Sequence, residues 1–497
     1  MRVMRCRHLL WTLPAALAAG LLGCAGATGP AQQPPSAATK LAFTVQPTNA
    51  AGAQPITPAV QVAVQDAVGN TVSAATNAVT VALGSNPGGG TLGGTMTVSA
   101  VQGIATFADL RIDQPGSGYT LGASAAGLSG ASSTPFAVTL TFTAVTAGDA
   151  HTCGVTAAGA AYCWGYNSSG QLGDGTTTDR LTLVLVKAPA GVSFDSVTAG
   201  RLHTCGVTAA GTAYCWGGNG FGQLGDGSTT NRLTPVLVVA PAGVSFAVVD
   251  AGDFHTCGVT AAGTAYCWGG NGIGQLGDGT TTDRSSPVLV QAPAGVSFAA
   301  VTAGAAHTCG VTAARVAYCW GANGSGQLGD GTTTDRLTPV LVAPGVSFAA
   351  VTAGRLHTCG VTAAGTAYCW GSNSVGQLGD GTITDRSSPV LVPGVSFSAV
   401  TAGYSHTCGL ATVAGAAPYC WGGNVSGQLG DGTTTSQSSP VLVQAPAGVS
   451  FAAVTAGTAH TCGVTAAGVA YCWGANGSGQ LGDGTTTDRL MPVRVVQ

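Results

Sequence analysis

One stretch recurs seven times along this chain: His-Thr-Cys-Gly-Val-Thr, a short turn, Tyr-Cys-Trp-Gly, then Asn-x-x-Gly-Gln-Leu-Gly-Asp-Gly, with small departures from copy to copy. The first copy covers residues 151–175 and the last 460–484. The leading cysteines, Cys153, Cys205, Cys257, Cys309, Cys359, Cys408 and Cys462, stand 52, 52, 52, 50, 49 and 54 residues apart. Such a period marks a repeat architecture, in which each unit buries its apolar face only against its neighbours. It is too long for helical-pair solenoids and suits a four-stranded propeller blade. In the second copy the expected strands are residues 194–199, 203–208, 213–217 and 235–238, with Ala-Ala-Gly turning between the middle two. The expected fold is all-β: a seven-bladed β-propeller over residues 142–497, preceded by an immunoglobulin-like β-sandwich.

Composition narrows the function classes. Charged residues make up 7% of the chain, there is no glutamate, and the only lysines are Lys40 and Lys187. The formal net charge is −3. An acidic, lysine-poor surface offers no counterion-releasing patch, so no nucleic-acid partner is expected. Past the leader, no apolar run reaches the roughly 20 residues of a membrane-spanning helix. No nucleophile–base pair, phosphate loop or cofactor motif is evident, and an enzyme would have to work with Asp, His or Tyr.

Residues 1–23 read as an export signal, with Arg2, Arg5 and Arg7 before an apolar core. The ending Leu21-Leu22-Gly23-Cys24 resembles the lipobox of bacterial lipoproteins, which implies cleavage before Cys24 and its acylation. Ordinary secretion with an unpaired Cys24 is the competing reading. Residues 24–39 form a Gly/Pro/Ser-rich tether. Residues 40–138 alternate apolar and polar positions at 41–45, 60–64 and 79–83, between Gly/Asn/Pro turns. Together with Gly103-Ile-Ala-Thr-Phe107 and Gly118-Tyr-Thr-Leu121, this segment resembles the bacterial immunoglobulin-like domains of surface proteins, which are mostly stalks. These features imply an exported protein of the bacterial cell envelope, an outer-membrane or surface lipoprotein that touches the membrane through its lipid alone.

The motif Val-Thr-Ala-Gly-x-x-His-Thr-Cys, followed by Tyr-Cys-Trp-Gly-x-Asn-x-x-Gly-Gln-Leu-Gly, resembles the repeat of the regulator of chromosome condensation family. The resemblance covers residues 142–497 and implies a seven-bladed propeller. That family spans nucleotide exchange, light sensing and enzyme inhibition, so its fold does not fix a function.

Fourteen cysteines form seven pairs: Cys153 with Cys163, Cys205 with Cys215, Cys257 with Cys267, Cys309 with Cys319, Cys359 with Cys369, Cys408 with Cys420, and Cys462 with Cys472. If Ala-Ala-Gly is the turn, each pair faces across a hairpin at disulfide distance. The pair of Cys408 and Cys420 has two extra intervening residues, which lengthens the hairpin without changing side-chain faces. Zinc and redox chemistry are the alternatives. The histidine two residues before each first cysteine would add an imidazole, yet a fourth ligand is missing, so no metal is expected. That histidine is expected to bond neighbouring backbone and hold its turn. The seven tryptophans are expected to pack between blades. The aspartates of Gly-Asp-Gly-Thr-Thr-Thr-Asp-Arg are expected to cap turns and to pair with the following arginine.

Where the copies differ, partner selection becomes possible. The Gly-x-x-His and Trp-Gly-x-Asn-x-x-Gly loops should share one face, which collects Tyr166, Arg201, Phe221, Phe254, Ile273, Arg355, Val375 and Tyr404. Aromatic and arginine side chains on a rigid rim suit protein recognition. The expectation is a monomeric binding protein for a protein or glycan, without cofactor. The rivals are a hydrolase or lyase at the central channel, for which no polar cluster breaking the repeat on the channel side is found, and guanine-nucleotide exchange.

Overall fold

The computed structural model describes residues 37–343, 345–412 and 417–496. The export signal, Cys24 and most of the tether lie outside the described residues. Among the described residues every regular element is a strand.

Residues 142–494 form seven four-stranded sheets, each a meander of four consecutive strands. In the first blade these are Phe142–Ala147, His151–Thr156, Ala161–Gly165 and Arg180–Leu185. The two middle strands are buried on both faces because each blade is sandwiched between two others, so buried and exposed positions do not alternate along them and the polar residues of His-Thr-Cys-Gly-Val-Thr are buried with the rest. The outer strand of the second blade is Arg232–Leu237, beginning three residues before the expected position. The cause is Pro235, which sits inside the strand. An edge strand tolerates a proline there, since no further strand needs its missing N–H.

Between blades the packing unit repeats. Cys153, Val155, Cys163, Leu172 and Val186 of the first blade enclose Phe194 and Trp216 of the second. Cys462, Val464, Cys472, Leu481 and Val495 of the seventh do the same for Phe142 and Trp164 of the first. The ring therefore closes through the same contacts as every other joint, with no strand exchanged between the ends of the chain.

The Gly-Gln-Leu-Gly loop supplies the polar half of each joint. The carbonyl of Gln171 accepts from Thr204 Oγ1 at 2.9 Å and from Trp216 Nε1 at 3.0 Å, both in the next blade. At the closing seam the Gln480 carbonyl accepts from Thr152 Oγ1 at 2.8 Å and Trp164 Nε1 at 2.9 Å.

The histidines complete the joint in a way the local sequence did not suggest. His151 Nε2 lies 2.9 Å from Thr204 Oγ1, and the series continues round to His460 Nε2 and Thr152 Oγ1, also 2.9 Å. The expected bond to neighbouring backbone is replaced by a latch onto the following blade. Each threonine hydroxyl already gives its one proton to a glutamine carbonyl, so Nε2 must carry the imidazole proton and donate. Nδ1 is then a bare acceptor, buried without a partner in all seven. Burial, aided at several positions by the neighbouring imidazoles, pushes the histidines down to about 3 or 4. They stay neutral.

Residues 40–139 build a separate set of small sheets around one apolar core that includes Val60, Val62, Val79, Phe107 and Tyr119. The strands Lys40–Val45, Val60–Gln65 and Ala78–Leu83 fall where the alternation placed them. This unit abuts the first blade beside the closing seam. Tyr162 Oη donates to the Asp113 carbonyl at 2.7 Å and is fully buried, whereas its counterparts in the other six blades are partly exposed.

Candidate functional site

Each inner strand ends in Ala-Gly, and the seven Gly-x-x-His turns converge on one mouth of the central channel. The glycine is required there. A Cβ on Gly148 would strike the Gly200 carbonyl of the next blade and come within 2.6 Å of the His151 ring. Backbone bonds such as Arg201 N–H to the Gly252 carbonyl (3.3 Å) and Thr458 N–H to the Gly148 carbonyl (3.1 Å) tie neighbouring turns together. The residue after each glycine is thereby fixed around a cavity of about 160 Å³: Asp149, Arg201, Asp253, Ala305, Arg355, Tyr404 and Thr458.

Below them lies a column of threonines broken once, by Asp250. Each threonine accepts the N–H of the alanine following its counterpart in the next blade, as Thr146 does from Ala199 at 3.1 Å. Asp250 takes over that task with Oδ2 on Ala303 N–H at 2.9 Å, while Oδ1 accepts from Thr198 Oγ1 at 2.8 Å. Burial raises its carboxyl above the usual range against those bonds. Asp250 was missed in the sequence, where it reads as one polar residue in a strand. Together with Asp149, Asp253, Arg201 and Arg355 it forms the channel-side polar cluster that sequence reasoning did not find. Aligning the inner strands column by column would have exposed it.

The structure brings five of the eight expected face residues into two stacks, with Arg201 and Phe221 joining through Phe254. Phe221 and Phe254 rings lie 5.0 Å apart, and the Arg201 guanidinium lies over Phe254 at 5.1 Å. Arg201 also reaches Asp149 at 3.5 Å. A second stack sets Arg355 over Tyr404 at 3.9 Å. Ile273 and Val375 occupy the loop position of Phe221 in the third and fifth blades, and Tyr166 is half-buried beside Ala150, whose carbonyl accepts its N–H at 2.8 Å.

The remaining motif residues are structural. Hairpin disulfides join Cys153 to Cys163, Cys205 to Cys215, Cys257 to Cys267 and Cys309 to Cys319. They also join Cys359 to Cys369, Cys408 to Cys420 and Cys462 to Cys472. Within each bridge the Cα atoms are 4.0–4.1 Å apart. Cys408 and Cys420 remain directly opposed across the longer hairpin, because its two extra residues preserve the side-chain face. Those sulfurs and the latched imidazoles are engaged elsewhere, and among the described residues no group of three metal-type ligands gathers. The aspartates pair with the following arginine as expected, and the partner is the first aspartate of the run. Arg284 reaches back to Asp278 at 3.1 Å, past the adjacent Asp283, whose carboxylate accepts the Asn271 N–H at 2.7 Å. Burial would raise Asp278, but bonds from Thr280, Asn271 and Arg284 outweigh it and hold the carboxyl low.

With the geometry in place, the comparisons with known proteins are specific. The RCC1-like domain matches residues 107–349, and the regulator of chromosome condensation (RCC1) repeat matches residues 364–410, 419–464 and 467–497. The chain is 36% identical over 352 residues to the Ultraviolet-B receptor UVR8 of Arabidopsis thaliana, covering 70% of this chain and 80% of that protein. The chain belongs to the RCC1 repeat family. The human probable E3 ubiquitin-protein ligase HERC4 is 34% identical over 200 residues, but these are 40% of this chain and 19% of that protein. Among solved structures, yeast RCC1 (Prp20) bound to Kap60 superposes with a TM-score of 0.61 at 21% identity, over 68% of this chain and 83% of that one. Human WBSCR16 gives 0.60 at 22% identity, over 67% and 89%. At these identities the structures speak for the RCC1-like propeller fold alone.

Proposed function

We propose that this RCC1-type propeller is an exported, lipid-anchored binding protein of the bacterial cell envelope. Its channel-mouth face takes a protein or glycan partner, and residues 40–138 serve as an immunoglobulin-like stalk. The observation that carries the reading is the Asp149–Arg201–Phe254–Phe221 assembly, which departs from the repeat and sits half-exposed on a rigid rim. Rigid aromatic and arginine anchors lose little entropy on binding and dominate recognition energetics. The RCC1 propeller seen with Kap60 is a relative in fold that engages a protein. Exchange on a guanine-nucleotide-binding protein fits less well with an export signal.

Channel chemistry has one observation in its favour. Burial pushes the Asp253 carboxyl up to about 6, against the pull of Arg201 and Arg355 and with a further push from Asp149. A base near neutral pH is useful in catalysis, but of the other two channel carboxylates Asp250 is occupied by bonds within the wall and Asp149 is paired with Arg201. Binding is the better-supported reading.

Its test is capture from envelope and host extracts on the immobilised chain. The wild type should retain a partner that the Phe221→Ala/Phe254→Ala chain loses, by over about 2 kcal/mol if both rings are anchors, with thermal unfolding unchanged. Equal retention by both chains overturns the reading. The anchor is tested separately: Cys24→Ser should move the protein from membrane to soluble fractions, and unchanged fractionation removes the lipid from the account.

A further inference from the structure

The two halves of the mouth differ in how their charges are used. Arg201 is committed to Asp149 and the Phe254 ring. Asp253 and Arg355 are not committed. Among the described residues, the Asp253 carboxylate forms no hydrogen bond or ion pair, although both arginines act on it from a distance. The Arg355 guanidinium lies over the Tyr404 ring at 3.9 Å, and it too forms no hydrogen bond or ion pair through its nitrogens. Between these residues, in the intervening blade, stands Ala305, the smallest side chain in the ring of seven. Asp253 and Arg355 thus stand on either side of a notch at Ala305, with the guanidinium turned onto Tyr404 of the following blade and not reaching the carboxylate.

A half-buried carboxylate without a partner is unfavourable, whereas the exposed Arg355 is solvated where it stands; a ligand that reaches both would pair the first and recruit the second. An anion alone would meet Asp253 and Asp250, and a cation alone would meet Arg201 and Arg355. We propose that the channel mouth binds a small zwitterion carrying a primary ammonium and a carboxylate, an amino-acid-like molecule. Its ammonium lies on Asp253 and its carboxylate takes the fork of Arg355. Stacking on Tyr404 pre-orients that fork, which favours bidentate carboxylate recognition. The cavity of about 160 Å³ suits a molecule of this size, and the glycine backbone and threonine hydroxyls of its wall add polar contacts. The raised Asp253 carboxyl fits the same picture, because an ammonium would restore the solvation that burial removes. Asp149 and Arg201 border the same cavity, but neither phenylalanine of the Phe221–Phe254 patch lines it.

Titration calorimetry on the full chain at pH 7.5 tests it, with glycine, β-alanine, 4-aminobutanoate and 6-aminohexanoate as probes and acetate and methylammonium as single-charge controls. One or two chain lengths should bind at one per chain, with both controls at least about tenfold weaker. Asp253→Asn and Arg355→Gln should each weaken the best probe by about tenfold or more. Ala305→Leu, which fills the notch and leaves both charges in place, should abolish binding without moving the unfolding midpoint. The Phe221→Ala/Phe254→Ala chain should bind the probe as the wild type does, so failure of the partner reading and failure of this one are distinguishable. Absence of binding by all four probes, equal binding by a single-charge control, or binding that survives Ala305→Leu overturns the proposal.

Discussion

Unfolding of the oxidised propeller at pH 5 is expected to take up between about five and seven protons, so stability should fall steeply on mild acidification. The seven latch histidines are fully buried and neutral, held down to about 3 or 4, whereas in the unfolded chain they titrate near 6.5. A base with a lowered folded value favours folding above its unfolded value. That stability is lost as pH falls from about 6.5 towards the folded values, at about 1.4 kcal/mol per pH unit for each proton. Asp250 and Asp253, raised by burial, bind protons in the folded state and offset up to two of the seven. The arginine-paired aspartates, held low, weaken the fold only at still more acid pH. Denaturant unfolding followed by tryptophan fluorescence from pH 8 to 5 reads the slope directly. A slope of one or two protons would mean that the imidazoles are not sealed between blades.

Reduction of the disulfides is expected to abolish folding of the propeller altogether. Each bridge closes a loop of about 11 residues, worth about 2–3 kcal/mol by loop entropy, and losing all seven removes on the order of 15–20 kcal/mol if the effects add. A typical domain has about 5–15 kcal/mol in total. Because every bridged cysteine is fully buried within a blade joint, the folded chain should resist reductant until it opens. The expected results are no titratable thiol among the fourteen in the native protein, and no native fluorescence after reduction in denaturant and dilution. Non-reducing peptide mapping should link each cysteine to its own hairpin partner, Cys257 to Cys267 and Cys408 to Cys420 among them. Links between blades, or stoichiometric zinc on the purified chain, would contradict the pairing.

What the sequence made legible was whatever repeats within one blade. The hairpin that sets Cys205 opposite Cys215, and the strand positions around it, follow from the spacing of the two cysteines about a three-residue turn. What stayed hidden lies between blades, about 50 residues away along the chain. Nothing near His151 announces Thr204, and the role of Gly-Gln-Leu-Gly emerges only once Gln171 meets the threonine and tryptophan of its neighbour. The face residues were legible as departures from the repeat, and ring geometry then decided which departures meet: Phe221 and Phe254 belong to different blades, and the Asn-x-x-Gly loop leans onto the next one. Asp250 escaped because its importance lies in the column it interrupts.

The central claim, that departures from symmetry at the channel mouth form the recognition surface, is tested most directly by hydrogen exchange on the chain with its captured partner. The account predicts added protection in the loops at 201–202, 220–222 and 253–254 and unchanged exchange in the hairpin turns at 157–159 and 209–211 on the opposite face. Protection confined to those hairpins, or to residues 40–139, would contradict it.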